Sequence, residues 1–368
     1  MKGPIRILHI VTYMGRGGLE SVLMNYYRNI DRSKVQFDFL VHRDFNADYD
    51  DEILSLGGKI YHIQRLVPWS KKYRSELKSF LLAHPEYKII HVHQDCLSSV
   101  ALKCAKECNI PVRIAHSHSS SAVKNMKYPI KMYYMKKISK YATDLMACGK
   151  DAGDWMFSGN KYTIVNNAID LDKYKYSNEI SNKVRTDLGI TNKLVIGHVG
   201  RFREEKNHTF LIDVFNEVKK IKNDSVLLLV GDGDKQSEIE EKVKSLDLEN
   251  DVIFTGSRSD VNELMQAMDI FVFPSLYEGL PLTMVEAQAS GLTCIISDNV
   301  PSECIFVPSL VKKLKLEIPA VEWAKNILNC SKNRNNYINE MTKVGYNIKH
   351  EVEKLQNFYL TNYKKDRG

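Results

Sequence analysis

The chain has 368 residues, 43% hydrophobic and 26% charged, with a formal net charge of +7. That length suits two hydrophobic cores better than one. No apolar run approaches the ~18–20 residues of a membrane span, and the first residues enter a strand pattern with no signal-peptide layout, so a cytoplasmic protein is expected. The charge is unevenly placed, with net +10 over residues 1–168 and −3 over residues 169–368.

Short apolar runs alternate with helical patterns along the whole chain, which predicts an α/β protein with two doubly wound parallel sheets. Strands are expected at residues 5–12, 36–41, 59–62, 89–93, 112–115, 145–147 and 162–165. A second set is expected at 194–199, 225–230, 252–255, 270–273, 293–297 and 305–307. The turn-rich segment 166–170, NNAID, marks a linker, giving a first domain over 1–168 and a second over 169–345. The tail beyond has a helical pattern.

The first strand leads into Gly15, Gly17 and Gly18, ahead of a helix expected over residues 21–28. Glycines at a helix start let the backbone approach a phosphate or sugar closely. Glu20 stands where a dinucleotide fingerprint needs its third glycine, so NAD is not implied.

Over residues 122–143, Lys124, Lys127, Lys131, Lys136, Lys137 and Lys140 alternate with Met126, Tyr128, Met132, Tyr133, Tyr134 and Met135, without an acidic residue. Two readings fit: a surface resting on an anionic membrane, or a solvated helix with its apolar side in the core. No nucleic-acid motif accompanies the charge. His91 with His93, and His116 with His118, put two imidazoles on one face of a strand. Such pairs could hold a metal, but the nearest carboxylate, Asp95, accompanies only one of them. Hydrogen-bonding and core roles are expected instead, with no metal. The seven cysteines lack CxxC and zinc spacings and are expected as reduced core thiols.

In the second half, Arg201 and Lys206 follow a strand end and flank a helix expected over 209–221, where two cations could neutralise a leaving diphosphate. Gly231 opens the edge loop GDGD, and Arg258 closes the turn TGSR, whose backbone could meet a nucleobase. The most informative segment is 277–287, YEGLPLTMVEA. It holds two carboxylates, Glu278 and Glu286, around Gly279, Leu280 and Pro281, in a loop running from a strand into a helix. The helix start can hold phosphates, and Glu286 can accept the hydroxyls of a ribose. The segment reads as a site for a nucleotide diphosphate carrying a sugar.

Over nearly its whole length the chain resembles the retaining nucleotide-sugar glycosyltransferases of family 4, with the GT-B fold. The residues that carry the resemblance are the 15–18 loop, the histidine region, VGR at 199–201 with Lys206 and Asn207, VGDG at 230–233, and FPSLYEGLP at 273–281 running to Glu286. More narrowly it resembles bacterial enzymes that build capsular or exopolysaccharide repeat units.

The resemblance implies two Rossmann-like domains facing across a cleft, with a C-terminal helix, 346–368, packing back on the first. It implies a nucleotide-sugar donor, UDP-linked, held by the second domain, and a lipid-diphosphate-linked glycan acceptor held by the first. It implies Arg201 and Lys206 on the diphosphate, Glu286 on the ribose, Glu278 on the donor sugar, and amides of Gly279 and Leu280 nearby. A reaction-centre histidine falls on His118 or His116, with His118 preferred. Neither a metal nor a cofactor is implied, and the basic first domain is expected to rest on the inner face of the plasma membrane. Ala168 departs from the family's linker glycine, and Glu303 is placed near the nucleotide. Alternatives are a sugar-nucleotide epimerase or hydrolase using His118 and Glu278, and a non-catalytic sugar-nucleotide-binding partner subunit.

Overall fold

The computed structural model describes residues 3–122 and 125–365. The chain forms two compact units, Met1–Ala168 with Ile348–Gly368, and Ile169–Asn347. In the first, β1 (Ile5–Ile10), β2 (Val35–Val41), β3 (Ile60–His62), β4 (Ile89–Val92), β5 (Val112–Ser117), β6 (Asp144–Ala147) and β7 (Thr163–Ile164) make one sheet in the order β3-β2-β1-β4-β5-β6-β7. In the second, β8 (Leu194–Val199), β9 (Ser225–Val230), β10 (Val252–Phe254), β11 (Ile270–Phe273), β12 (Thr293–Ser297) and β13 (Val311–Leu314) are ordered β10-β9-β8-β11-β12-β13. All the strand pairings are parallel. The strands LVIGHV, SVLLLV and IFVF are buried at every position, as runs covered by helices on both faces must be.

One expected strand is absent. Residues 305–307 are not in the sheet; their amides at Phe306 and Val307 instead donate to Gln288 Oε1, at 2.8 and 3.0 Å. The last strand is Val311–Leu314, pairing with β12. Its sequence, VKKL, places two lysines at a half-buried sheet edge and so lacks the apolar signal of the others.

The C-terminal helix Ile348–Lys365 returns to the first unit. Gln356 Oε1 accepts the Asp31 amide at 2.9 Å, and Tyr359 is fully buried with its hydroxyl 2.7 Å from His91 Nδ1. Ala168 is buried and does not adopt a positive φ, so the backbone there does not require the glycine the resemblance led us to expect.

Lys124 lies outside the described residues. The helix Tyr128–Met135 that follows buries none of its side chains fully, and Met126, Ile130 and Tyr133 are exposed. The Lys137 ammonium sits 3.6 Å over the Tyr133 ring. Among the described residues, no helix is long and apolar enough to cross a membrane.

Candidate active site

The strand order locates the site. In the second sheet, β8 lies between β9 and β11, so the chain leaves β8 in one direction and later returns on its other side. Open α/β sheets bind ligands beyond the carboxyl ends of the strands at such a reversal. The segments leaving β8 and β11 are those that carry Arg201 with Lys206, and Glu278.

Lys206 Nζ lies 2.6 Å from Glu278 Oε1, with the two side chains 15% and 10% exposed. The same ammonium sits 4.7 Å from the centre of the Phe273 ring. The two loops are also stitched through their backbones: the Leu276 amide donates to Glu205 O at 2.8 Å, and Asn207 Nδ2 to Pro274 O at 3.1 Å. Asn207 adopts φ +55°, the left-handed region in which asparagine is tolerated, and so starts the helix His208–Ile221 directly after Lys206.

Gly231 and Gly233 have φ +138° and +151°. A Cβ on Gly231 would lie 2.2 Å from Gly200 O, and one on Gly233 2.6 Å from Phe202 O. The Phe202 amide donates to Asp232 O at 2.7 Å. This loop therefore presses on the backbone around Arg201 and sets its course.

Glu286 lies in the helix Leu282–Ala289 and is 8% exposed. Tyr174 donates its hydroxyl to Glu286 Oε1 at 2.6 Å. Burial pushes the carboxyl up to about 7, against the pull of the Tyr174 bond toward the charged form. Gly279 and Leu280 lie in the loop between Glu278 and this helix, the Gly279 carbonyl accepting from Cys304 Sγ at 3.4 Å. Glu303 is half-buried in the short 3-10 turn Ser302–Cys304. Arg258 is held by both guanidinium arms to Asp260, at 2.8 and 2.6 Å, on an exposed turn.

In the first unit, Gly17 caps the helix Gly18–Asn29, and a Cβ on Gly18 would meet nothing within 4 Å. Gly15 is crowded by the Tyr13 ring, and the Arg16 amide donates to Asp48 Oδ2 at 3.1 Å. The histidines are not two separate pairs. His9 Nδ1 lies 3.0 Å from His93 Nε2, His93 Nδ1 lies 2.8 Å from His118 Nε2, and His91 Nε2 lies 3.1 Å from His116 Nδ1. Burial drives His91, His93 and His116 well below the ordinary imidazole range, so they are neutral.

Sequence reading missed Tyr174, His9, Asp48 and Tyr359. Tyr174 carried no signal, because its partner lies 112 positions away. A lone histidine in an apolar strand, as at position 9, is indistinguishable from a core residue until the neighbouring strands are known.

Two family models match the chain: one described as Glycosyltransferase Family 4, over residues 16–173, and one as Glycosyl transferases group 1, over residues 181–349. EpsF of Bacillus subtilis (strain 168), a provisionally assigned glycosyltransferase, is 35% identical across 99% of this chain and 98% of its own. The Escherichia coli UDP-Gal:alpha-D-GlcNAc-diphosphoundecaprenol alpha-1,3-galactosyltransferase is 25% identical, covering 76% of this chain and 77% of its own. The crystal structure of Anabaena HepE in complex with UDP-glucose is similar at a TM-score of 0.73 and 19% identity, covering 98% of this chain and 97% of that one. At that identity the likeness is one of fold.

Proposed function

Because the chain belongs to glycosyltransferase family 4, with the two Rossmann-like domains of the GT-B fold, we propose that it moves a hexosyl or N-acetylhexosaminyl group from a UDP-sugar to a lipid-diphosphate-linked glycan of a surface polysaccharide. The observation that carries this reading is the Lys206–Glu278 pair at the reversal point of the second sheet. The donor and the lipid-linked acceptor printed in the name of the E. coli relative, and the UDP-glucose of HepE, support the substrate classes.

In this reading Arg201 and Lys206 hold the diphosphate and stabilise the charge that develops on the β-phosphate as the anomeric carbon–oxygen bond breaks. Glu278 accepts hydroxyls of the donor sugar, and Glu286 the ribose diol. The acceptor hydroxyl forms the new bond on the side the diphosphate leaves, its proton passing to the departing phosphate, so that configuration is retained and no metal is required. The first unit would hold the acceptor at its 15–18 loop, with His118 as the reaction-centre histidine.

We place the chain on the inner face of the plasma membrane through the basic segment 125–140 around the helix Tyr128–Met135, where exposed Met126, Ile130 and Tyr133 stand among Lys127, Lys131, Lys136 and Lys137. Sedimentation with vesicles containing anionic lipid, weakened by salt, is the expected result. Equal sedimentation with purely zwitterionic vesicles would contradict it.

The donor class is tested by thermal shift with UDP-, GDP- and ADP-sugars. UDP-sugars should raise the melting temperature together, and a response confined to GDP- or ADP-sugars would overturn the assignment of the base.

A further inference from the structure

We propose that His93, His116 and His118 form a binding site for one first-row transition-metal ion, Zn2+ foremost, inside the first unit. One ring nitrogen of each lies within 4.8 Å of those of the other two. A tetrahedral zinc with ~2.0–2.1 Å bonds to imidazole spaces its ligands about 3.3 Å apart, which lies between the shortest separation in this set and its 4.8 Å limit. The His93 Nδ1 and His118 Nε2 atoms already face each other at 2.8 Å.

The third ligand is marked by an unmet need. His116 is 3% exposed, and its Nε2 is buried without a hydrogen-bond partner. An orphaned imidazole nitrogen in a core is costly unless something binds it. The rings are held from behind as metal-binding histidines usually are. His116 Nδ1 is bonded to His91 Nε2 at 3.1 Å, His91 Nδ1 in turn to the Tyr359 hydroxyl at 2.7 Å, and His93 Nε2 to His9 Nδ1 at 3.0 Å.

The cluster His9, His91 and His93 has similar spacing but is sealed, all three residues being buried. His118 is only half-buried, which gives an ion a way in and leaves a fourth position for water. Three neutral nitrogen ligands favour zinc, copper, nickel or cobalt over magnesium or calcium.

The test uses the full chain without a histidine tag, stripped by chelator and titrated with Co2+. One Co2+ per chain should give the visible absorption of a tetrahedral ion, and an equivalent of Zn2+ should displace it. His116→Ala and His118→Ala should each weaken Co2+ binding by more than about 100-fold, since even changes behind a ligand cost 10–100-fold. His62→Ala, an exposed histidine bonded to Arg43 O, should leave binding unchanged. Circular dichroism checks that each variant is folded, and the half-buried position of His118 makes it the variant expected to fold without the metal. Unchanged Co2+ affinity in folded His118→Ala, or only the weak spectrum of an octahedral ion in the parent chain, overturns the proposal. If the transfer reading holds, Zn2+ would also occupy His118 and slow transfer. The cobalt spectrum does not depend on transfer, so the two can fail separately.

Discussion

Lys206→Ala is expected to lower the turnover of sugar transfer by about 100- to 1,000-fold, the usual loss when one charge-stabilising donor is removed from a water-poor site. The side chain is 15% exposed and its charge is matched by Glu278 at 2.6 Å, so a diphosphate arriving at the end of β8 would meet a cation already held in place. The same substitution removes the ammonium paired with the Glu278 carboxylate, which is 10% exposed, and should cost about 2 kcal/mol of stability. The two effects separate in the double variant Lys206→Met/Glu278→Gln. Removing both charges together should recover most of the stability and none of the turnover. Steady-state kinetics and denaturant melts on the three proteins check this. Recovery of turnover in the double variant would make the pair a structural device only.

Glu286→Gln is expected to weaken donor binding by about 10- to 100-fold and to remove a pH dependence. The folded chain holds the Glu286 carboxyl at about 7, against 4.5 for an ordinary glutamate. The native state therefore binds this proton more tightly than the unfolded chain does. Its contribution to stability is greatest below about 4.5, falls as pH rises from there to 7, and is constant above. The amplitude is about 3 kcal/mol. The glutamine variant should flatten the stability profile over that window and be the more stable protein at pH 8. Ribose hydroxyls donate to the ionised carboxylate, so donor affinity in the parent chain should tighten as pH rises toward 7 and then level. Calorimetric titration with UDP at several pH values measures this, and an affinity independent of pH in the parent chain would remove Glu286 from the ribose.

Most of the architecture was legible because parallel strands covered on both faces must be apolar throughout, and LVIGHV, SVLLLV and IFVF stand out for that reason. VKKL did not, since an edge strand needs lysines more than it needs apolar residues. The site was legible in part. Glu278 and Lys206 could be placed at one sheet edge from their positions after strand ends, but their direct pairing depends on β8 and β11 being neighbours, which no local pattern encodes. The glycines at 231 and 233 were visible as a flexible turn. That they press on Gly200 and Phe202 follows only from the neighbouring loop. Four histidines were visible as two i, i+2 pairs, while their joining with His9 required β1, β4 and β5 to lie side by side.

The central claim is tested most directly by incubating the protein with a UDP-hexose, a lipid-diphosphate-linked glycan and excess EDTA, and determining the product linkage by NMR. We predict a new glycosidic bond on the lipid-linked glycan, carrying the anomeric configuration of the donor, at a rate undiminished by the chelator. Free hexose or an epimerised sugar nucleotide with no elongated glycolipid would contradict the account.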